Sequence, residues 1–525
     1  MNAASGNEYW AVHADATPVG TIADIIRRRT RATPDAVAIQ ETGGLTTFRE
    51  LDDCSNQVAS GLVEHAIVAG DRVVYIGANA PSFLEVFYGA AKAGAIATAI
   101  NNRLSPNEIA QLLSDAEPRV VVVDHDAAVL VEQLAVPTSV TLLLEVAGGG
   151  VGSYEVWRDE QDTRDPNVPV DPDDTALILY TSGTSGLPKG IMLTGRNFGC
   201  ALYSLNQDIE LQEDSVCAAP IPFFHIAGLG LALAANLNGG RLLLETAVDP
   251  PAVLRLLVDR RVSHAAVVPT VLQRLLALDG IANEDFSALR YIVYGASPIP
   301  IPVLREATEV FGCKFLQSYG LTESTGGFTV LGADDHVVDE AFARRLTSAG
   351  KAMPGAEVRV VDPFTLEDVA MGIRGEVLVR GPRIMKGYWR QPQMTNSAIL
   401  EGGWLRTGDG GSFDEDGYLY LHDRIKDMII SGGENIYPAE VESALTGHPD
   451  ILEVAVIGVP SAEWGESPHA VVVLRPGSTL DEATLIEWSR GQLAHFKCPV
   501  SATFTDALPR TASGKLQKVK LREQH

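Results

Sequence analysis

Apolar positions along the first 350 residues switch between two spacings. TIADIIRRRTRATP (residues 21–34) repeats them every three to four residues and stops at a proline, which predicts a helix. AVAIQ (36–40) and DRVVYIG (71–77) read as strands. FLEVFYGAAKAG (83–94) reads as a helix ended by glycine, and RVVVVD (119–124) as a strand buried on both faces. Strand, helix and strand at this spacing predict crossover units and a largely parallel sheet.

AGGGVGS (147–153) and the acidic stretch up to Asp174 read as a loop. ALILY (176–180) is a strand, and a second alternating series follows: SVCAAP, the helix-like 226–237, RLLLE, VSHAAVV and RYIVYG (290–295). Past residue 350 the texture changes to half-exposed strands, EVRVVD (357–362) and GEVLVRG (375–381). Beyond LHDRIKD (421–427) come helix PAEVESALTG, strands LEVAVIGVP and HAVVVLRP, and helix EATLIEWSRGQL. The expected fold class is α/β. A large N-terminal domain (1–423) holds tandem α/β subdomains plus a β-rich portion, and a small mobile α+β C-terminal domain (424–525) follows. A chain of 525 residues is in any case too long for one core.

Composition narrows the classes. With 41 basic against 67 acidic side chains the net charge is -26, which argues against non-specific nucleic-acid binding and against a polybasic membrane anchor. A small anionic ligand remains compatible, because backbone dipoles and a few cations act locally. The five cysteines (54, 200, 217, 313 and 498) show no CxxC spacing and read as reduced thiols. The first residues show no basic region followed by an apolar one, as a signal peptide would. The longest apolar run, IAGLGLALAANL (226–237), is shorter than the roughly 18 residues of a membrane span. The expectation is a cytoplasmic protein without a transmembrane segment; a homodimer is compatible with it.

Seven stretches carry candidate chemistry. YTSGTSGLPKG (180–190) follows a strand directly, and its Gly, Ser and Thr residues let successive N–H groups point one way, as anion-binding concavities require. Lys189 adds a mobile point charge. It precedes Gly190 rather than Ser or Thr, so the loop is not a Walker A motif. In PIPFFHIAGLG (220–230), His225 is either a packed core group or a pocket wall beside small Ala227 and Gly228. YGASPIP (294–300) and QSYGLTES (317–324) each end a strand. Tyr319 suits stacking on a base, and Glu323 suits a hard cation such as Mg²⁺. In WLRTGDGG (404–411), Asp409 is placed in a turn, as a structural aspartate or as a ligand for two ribose hydroxyls. HDRIKDMIISGGENIYPAEVE (422–442) reads as a hinge followed by a mobile glycine loop. LPRTASGKLQK (508–518) places Lys515 on a flexible segment near the C-terminus.

Together, in this order, these motifs resemble the adenylate-forming enzymes: acyl-CoA synthetases, luciferases and peptide-synthetase adenylation domains. The resemblance runs from about residue 20 to the end. DRIKDMIISGGENIYPAEVE is most similar to fatty-acid and aryl-acid CoA ligases. It implies an AMP-forming acid–thiol ligase using ATP, Mg²⁺ and coenzyme A on a small carboxylic acid. It further implies that Thr181, Ser182, Gly183, Thr184, Ser185, Gly186 and Lys189 hold the β- and γ-phosphates. Gly295, Ala296 and Ser297, with Gln317, Ser318, Tyr319 and Gly320, would frame the adenine. Thr322 would touch the α-phosphate, Glu323 with Thr181 would serve the metal, and Asp409 and Arg424 would hold the ribose. Lys426 matches the hinge position, Lys515 the lysine bridging acyl carboxylate and α-phosphate, and Gly432 and Gly433 the edge of the pantetheine tunnel. His225 would line the acyl pocket. Ser185 stands where many members have Thr, and Gly410 with Gly411 loosens the following turn.

The favoured substrate is a medium- or long-chain fatty acid. Aryl, cinnamate-type and sterol-derived acids are alternatives, as is a carrier-protein-loading adenylation enzyme. A luciferase-like oxygenase, a non-catalytic nucleotide-binding regulator and a P-loop ATPase are the remaining rivals. The last is separated by its product, ADP rather than AMP with pyrophosphate.

Overall fold

The computed structural model describes residues 20–525 except 132–133, 135–136, 148–151, 182–188, 219, 245–248, 296–298, 337–343, 432–433, 437, 462–463 and 511–515; at 130, 423, 424, 426, 430, 434 and 435 it describes the backbone alone. The chain divides into two compact units, Met1–Glu357 with Val379–Leu405, and Val358–Leu378 with Arg406–His525.

The first unit contains two large sheets. One runs Gly387–Tyr388, Lys189–Thr194, Thr175–Thr181, Ile96–Ile100, Arg72–Ile76, Val120–Val123, Leu142–Glu145. Its pairings from Thr175–Thr181 through to Leu142–Glu145 are parallel, as the continuous apolar runs predict. The other has nine strands, including Val216–Ala218, His264–Val267, Tyr291–Gly295 and Lys314–Leu321, mutually parallel in the order of their pairing. Helices between the strands bury one stripe each. In Pro106–Ala116, started by a Ser105–Glu108 capping box, Ile109, Leu112, Leu113 and Ala116 pack with Val74, Ile76, Val121 and Val123. The helix Pro81–Ala93 ends where Gly94 takes φ +74°, the left-handed turn that glycine adopts without strain.

One departure from expectation lies in the first unit. The stretch read as a loop after residue 147 contains a short helix, Tyr154–Asp159. Its stability is tertiary: Tyr154 is fully buried and donates to Glu85 Oε2 at 2.8 Å, while Arg158 pairs with the same carboxylate at 2.8 Å. A helix this short has almost no local signal.

The second unit carries strands Leu405–Phe413 and Leu419–Arg424, paired antiparallel, within a four-stranded sheet. It also carries a five-stranded sheet built around the long hairpin Ile451–Ser461 and Gly465–Leu474. Helices Pro438–Thr446 and Glu482–Arg490 cover that sheet through Val441, Leu445 and Leu485. Residues 406–423 group by contact with the C-terminal residues, because their strands pair within this unit.

Candidate active site

The strands on either side of the glycine-rich stretch pair as the two arms of a β-hairpin. Thr181, the last residue of Thr175–Thr181, pairs with Lys189, the first of Lys189–Thr194. Both flanks are held. Tyr180 donates to Asp115 Oδ2 at 2.6 Å, and Trp389 N–H donates to Gly190 O at 2.7 Å. Space at Gly190 is tight: a Cβ there would meet Ile178 Cγ2 at 3.0 Å and Trp389 Cβ at 3.1 Å.

Glu323 sits directly after the strand Lys314–Leu321, in the 3-10 turn Thr322–Ser324. The turn is fixed by its own serine, whose Oγ accepts from Leu321 N–H at 2.9 Å. Gly320 is required by a close approach, since a Cβ there would lie 1.9 Å from Gly326 O. The segment 383–388 clamps the far side: Thr325 Oγ1 donates to Arg383 O at 2.7 Å and Met385 N–H to Glu323 O at 2.8 Å.

Tyr388 joins these two loops. Its hydroxyl donates to Glu323 Oε1 at 3.0 Å, and the Lys189 ammonium lies 5.3 Å from the centre of its ring. The strand Gly387–Tyr388 runs antiparallel to Lys189–Thr194, so backbone pairing places the phenol between cation and carboxylate. Burial, with the Glu323 carboxylate beside it, pushes the Tyr388 phenol well above its ordinary value, so it stays a donor. Sequence reasoning missed Tyr388. The available signal was Gly-Tyr-Trp at 387–389, an aromatic pair directly after a glycine.

Gly295 ends its strand directly beside Ser318 in the parallel ladder, and a Cβ there would lie 2.3 Å from Ser318 O. Gln317, Ser318, Tyr319 and Gly320 close the neighbouring strand, with Tyr319 edge-on to Phe328 at 4.8 Å. These candidates therefore lie at the carboxyl ends of adjacent parallel strands, where open α/β sheets place ligands.

His225 is the N-cap residue of helix Ile226–Asn238 and packs edge-on against Phe224 at 4.7 Å. Asn79 holds the preceding turn with two bonds, accepting from Phe223 N–H at 2.8 Å and donating to Ile221 O at 3.0 Å. Sequence reasoning missed Asn79, which carries no local signal. The space expected at Gly228 is not there: a Cβ would lie 2.3 Å from Ile221 O and 2.7 Å from Pro222 O. Gly228 is small so that the helix can seat on that backbone. Open space lies instead at Gly230, with Ala227 exposed one turn earlier on the same side.

In the second unit, Asp409 and Arg424 are direct partners in the antiparallel ladder. Asp409 was expected in a turn; it lies within the strand Leu405–Phe413, at an irregularity between Asp409 and Gly411. Across it two steps along this strand, Asp409 to Gly411, stand against three along its partner, Arg424 to Leu421, and Gly408 takes φ +71° inside the strand, so glycines that read as a turn lie in a paired strand instead. Thr407 Oγ1 anchors this stretch, accepting from Asp409 N–H at 3.1 Å and donating to Val377 O at 2.7 Å. Nearby, Glu440 bridges Arg374 (3.2 Å) and Lys497 (2.6 Å), while His422 Nε2 meets Ser412 Oγ at 3.0 Å. Burial, with Arg374 assisting, lowers the His422 imidazole to about 4.

Ser182, Gly183, Thr184, Ser185, Gly186, Ala296, Ser297, Gly432, Gly433 and Lys515 lie outside the described residues. Arg424 and Lys426 are described by backbone alone, in a strand end and in the 3-10 turn Ile425–Asp427.

Comparison with known proteins agrees with this arrangement of motifs. A family model described as AMP-binding enzyme matches residues 26–389, and one described as AMP-binding enzyme C-terminal domain matches 440–515. The chain belongs to the AMP-binding enzyme family. This AMP-binding enzyme is 39% identical to a feruloyl-CoA synthase of Amycolatopsis, over 95% of this chain and 97% of that one. It is 34% identical to the long-chain-fatty-acid–CoA ligase FadD13 of Mycobacterium tuberculosis, over 95% and 98% respectively. Among solved structures, ATP-bound MatB of Rhodopseudomonas palustris superposes with a TM-score of 0.85 at 32% identity, covering 96% of this chain and 98% of that one. The α/β fold class and the ligase class of enzyme are thereby shown.

The AMP-binding enzyme offers a carboxylate that a hydrated divalent cation can use. Among the described residues no group of three or more His, Cys, Asp or Glu gathers as a metal cage. Glu323 instead offers a carboxylate with Oε1 engaged by Tyr388. That fits Mg²⁺, which keeps several waters and takes one or two carboxylates plus substrate phosphates. Among the described residues no helix is long and apolar enough to cross a membrane.

Proposed function

We propose that this AMP-binding enzyme is an acyl-CoA synthetase that works in two steps. A carboxylate attacks the α-phosphate of ATP, giving acyl-AMP and pyrophosphate; the thiol of coenzyme A then attacks the acyl carbonyl, giving the thioester and AMP. The observation that carries the reading is the assembly Lys189–Tyr388–Glu323, which sets an ammonium and a carboxylate around one phenol, at the base of the glycine-rich hairpin.

Two anions must meet in the first step, so fixed cations and N–H dipoles are needed where charge concentrates. At about 4 Å and an effective dielectric near 20, one lysine contributes about 4 kcal/mol before desolvation. Thr181 to Gly186 and Lys189 would grip the β- and γ-phosphates. Thr322 would contact the α-phosphate, and Lys515 would bridge it to the acyl carboxylate. Mg²⁺, held by Glu323 with Thr181, would supply charge neutralisation of the phosphates. Gly295, Ala296, Ser297 and Gln317 to Gly320 would frame the adenine, and Asp409 with Arg424 the ribose. His225 would line the acyl pocket. No protein nucleophile is required.

In the second step Lys515 is dispensable and would obstruct the thiol. A small domain beginning at Arg424, turning at Lys426, would exchange the Lys515 face for the Gly432–Gly433 loop that borders pantetheine. The protein would act in the cytoplasm on freely diffusing substrates.

For the acid, the 39% relatives named feruloyl-CoA synthase favour an aryl acid of the ferulate type. A medium- or long-chain fatty acid is the second class, favoured by the 34% relatives named long-chain-fatty-acid–CoA ligase. The open side of the helix at Ala227 and Gly230 suits the apolar body of either.

The test is ATP–pyrophosphate exchange over hydroxycinnamates, other aryl acids, sterol-derived acids and fatty acids of graded length, followed by thioester detection with free coenzyme A or a pantetheinylated carrier protein. Exchange with one class and thioester on free coenzyme A is expected. Release of ADP, or thioester on the carrier alone, overturns the proposal.

A further inference from the structure

The segment 383–390 belongs to none of the stretches singled out for chemistry, yet it touches two of them. Three backbone bonds fix it: Lys386 N–H to Met192 O (2.9 Å), Trp389 N–H to Gly190 O (2.7 Å), and Met385 N–H to Glu323 O (2.8 Å). The first two tie it to the strand that leaves the glycine-rich hairpin, and the third to the turn that carries Glu323. Tyr388 lies between them with 7% of its surface exposed, its hydroxyl on Glu323 Oε1 and its ring near the Lys189 ammonium. Thr395 Oγ1 accepts from its N–H at 2.9 Å, and a Cβ at neighbouring Gly387 would lie 2.7 Å from Thr395 Cγ2, so the strand has little room to shift.

We propose that Tyr388 is a positioning residue that couples Lys189 to Glu323, so that the phosphate-gripping cation and the metal-holding carboxylate form one preset unit. The inference rests on the nucleotide reading of those two residues given above. Its physics is that of an outer-shell partner. A hydrogen bond to one carboxylate oxygen fixes the side chain and directs the other oxygen to the cation. The ring adds a low-entropy platform for a lysine that would otherwise sample many rotamers. The two contacts use different parts of Tyr388 and are separable by substitution.

The experiment measures ATP binding to the full chain by calorimetry, without acid or coenzyme A, across a Mg²⁺ titration and in EDTA. Tyr388→Phe keeps the ring and loses the hydrogen bond. It is expected to raise the half-saturating Mg²⁺ concentration about tenfold, while ATP affinity in EDTA stays at the wild-type value. Tyr388→Leu loses both contacts and is expected to weaken ATP binding severalfold in EDTA as well. Glu323→Gln and the double variant Glu323→Gln/Tyr388→Phe are expected to share one Mg²⁺ dependence, because the phenol acts through that carboxylate. A Tyr388→Phe protein indistinguishable from wild type, or additive losses in the double variant, overturns the proposal. If Tyr388→Phe melts early, the Lys189→Met and Glu323→Gln pair gives the same answer: non-additive losses support coupling and additive ones overturn it. Wild-type protein that binds Mg·ATP in this way but forms no thioester overturns the ligase reading and supports this one.

Discussion

Asp409 and Arg424 stand opposite each other in one antiparallel ladder, although the sequence separates them by a whole hairpin. Asp409 is buried to 8% exposure within its strand, held by Thr407. If its two oxygens accept from both ribose hydroxyls, Asp409→Asn loses a charge-assisted pair. ATP binding should weaken by about 1.5–3 kcal/mol, roughly 10- to 150-fold, with the melting temperature little changed. Calorimetry with ATP and with a ribose-lacking triphosphate checks this; equal loss for both ligands would exclude the ribose role.

Lys515→Ala should abolish acyl-AMP formation, measured by pyrophosphate exchange, and spare thioester formation from supplied acyl-AMP. The expectation follows from charge placement: the first step joins two anions and the second joins a thiol to a carbonyl. Equal loss in both half-reactions would show that one face of the small domain serves both steps.

If His225 lines the acyl pocket, Gly228→Ala should damage that pocket through the backbone. The added methyl group would lie 2.3 Å from Ile221 O, so the helix or the turn before His225 must move. A displacement of about 1 Å at a reacting group costs around 100-fold in rate. The measurement is kcat for pyrophosphate exchange beside ATP affinity; kcat should fall while ATP affinity holds.

His422 should make stability depend on pH. Its imidazole is ordinarily near 6.5 and is lowered to about 4 by burial, then by Arg374. The folded state therefore binds the proton less well than the unfolded chain. Stability is fully present above 6.5 and is lost as pH falls through 4, by about 2 kcal/mol after allowance for partial exposure. His422→Gln should flatten that part of a urea-midpoint profile between pH 7 and 4. An unchanged slope would assign the acid sensitivity to other groups.

Much of the fold was legible in the sequence because its signals are local. ALILY, RVVVVD and RYIVYG are apolar runs that belong in buried parallel strands, and they are found there. The helix 154–159 was not legible, because its stability comes from Glu85, 69 residues away from Tyr154. The glycines around Asp409 misled for a related reason. A glycine at positive φ marks a turn more often than a strand, and only strand pairing shows that Gly408 lies inside one.

The sequence by itself determined the alternation of strand and helix, the order of the chemical motifs and hence the family. Those properties depend on residue type and spacing along one chain. Tertiary structure alone decided that Gly228 seats a helix, that Asp409 faces Arg424, and that Tyr388 stands between Lys189 and Glu323. The first seats a helix on the turn just before it, the second pairs the two arms of one hairpin, and the third joins segments distant in sequence; all are fixed by strand register and close packing, and none leaves a periodic trace for a reader of the chain.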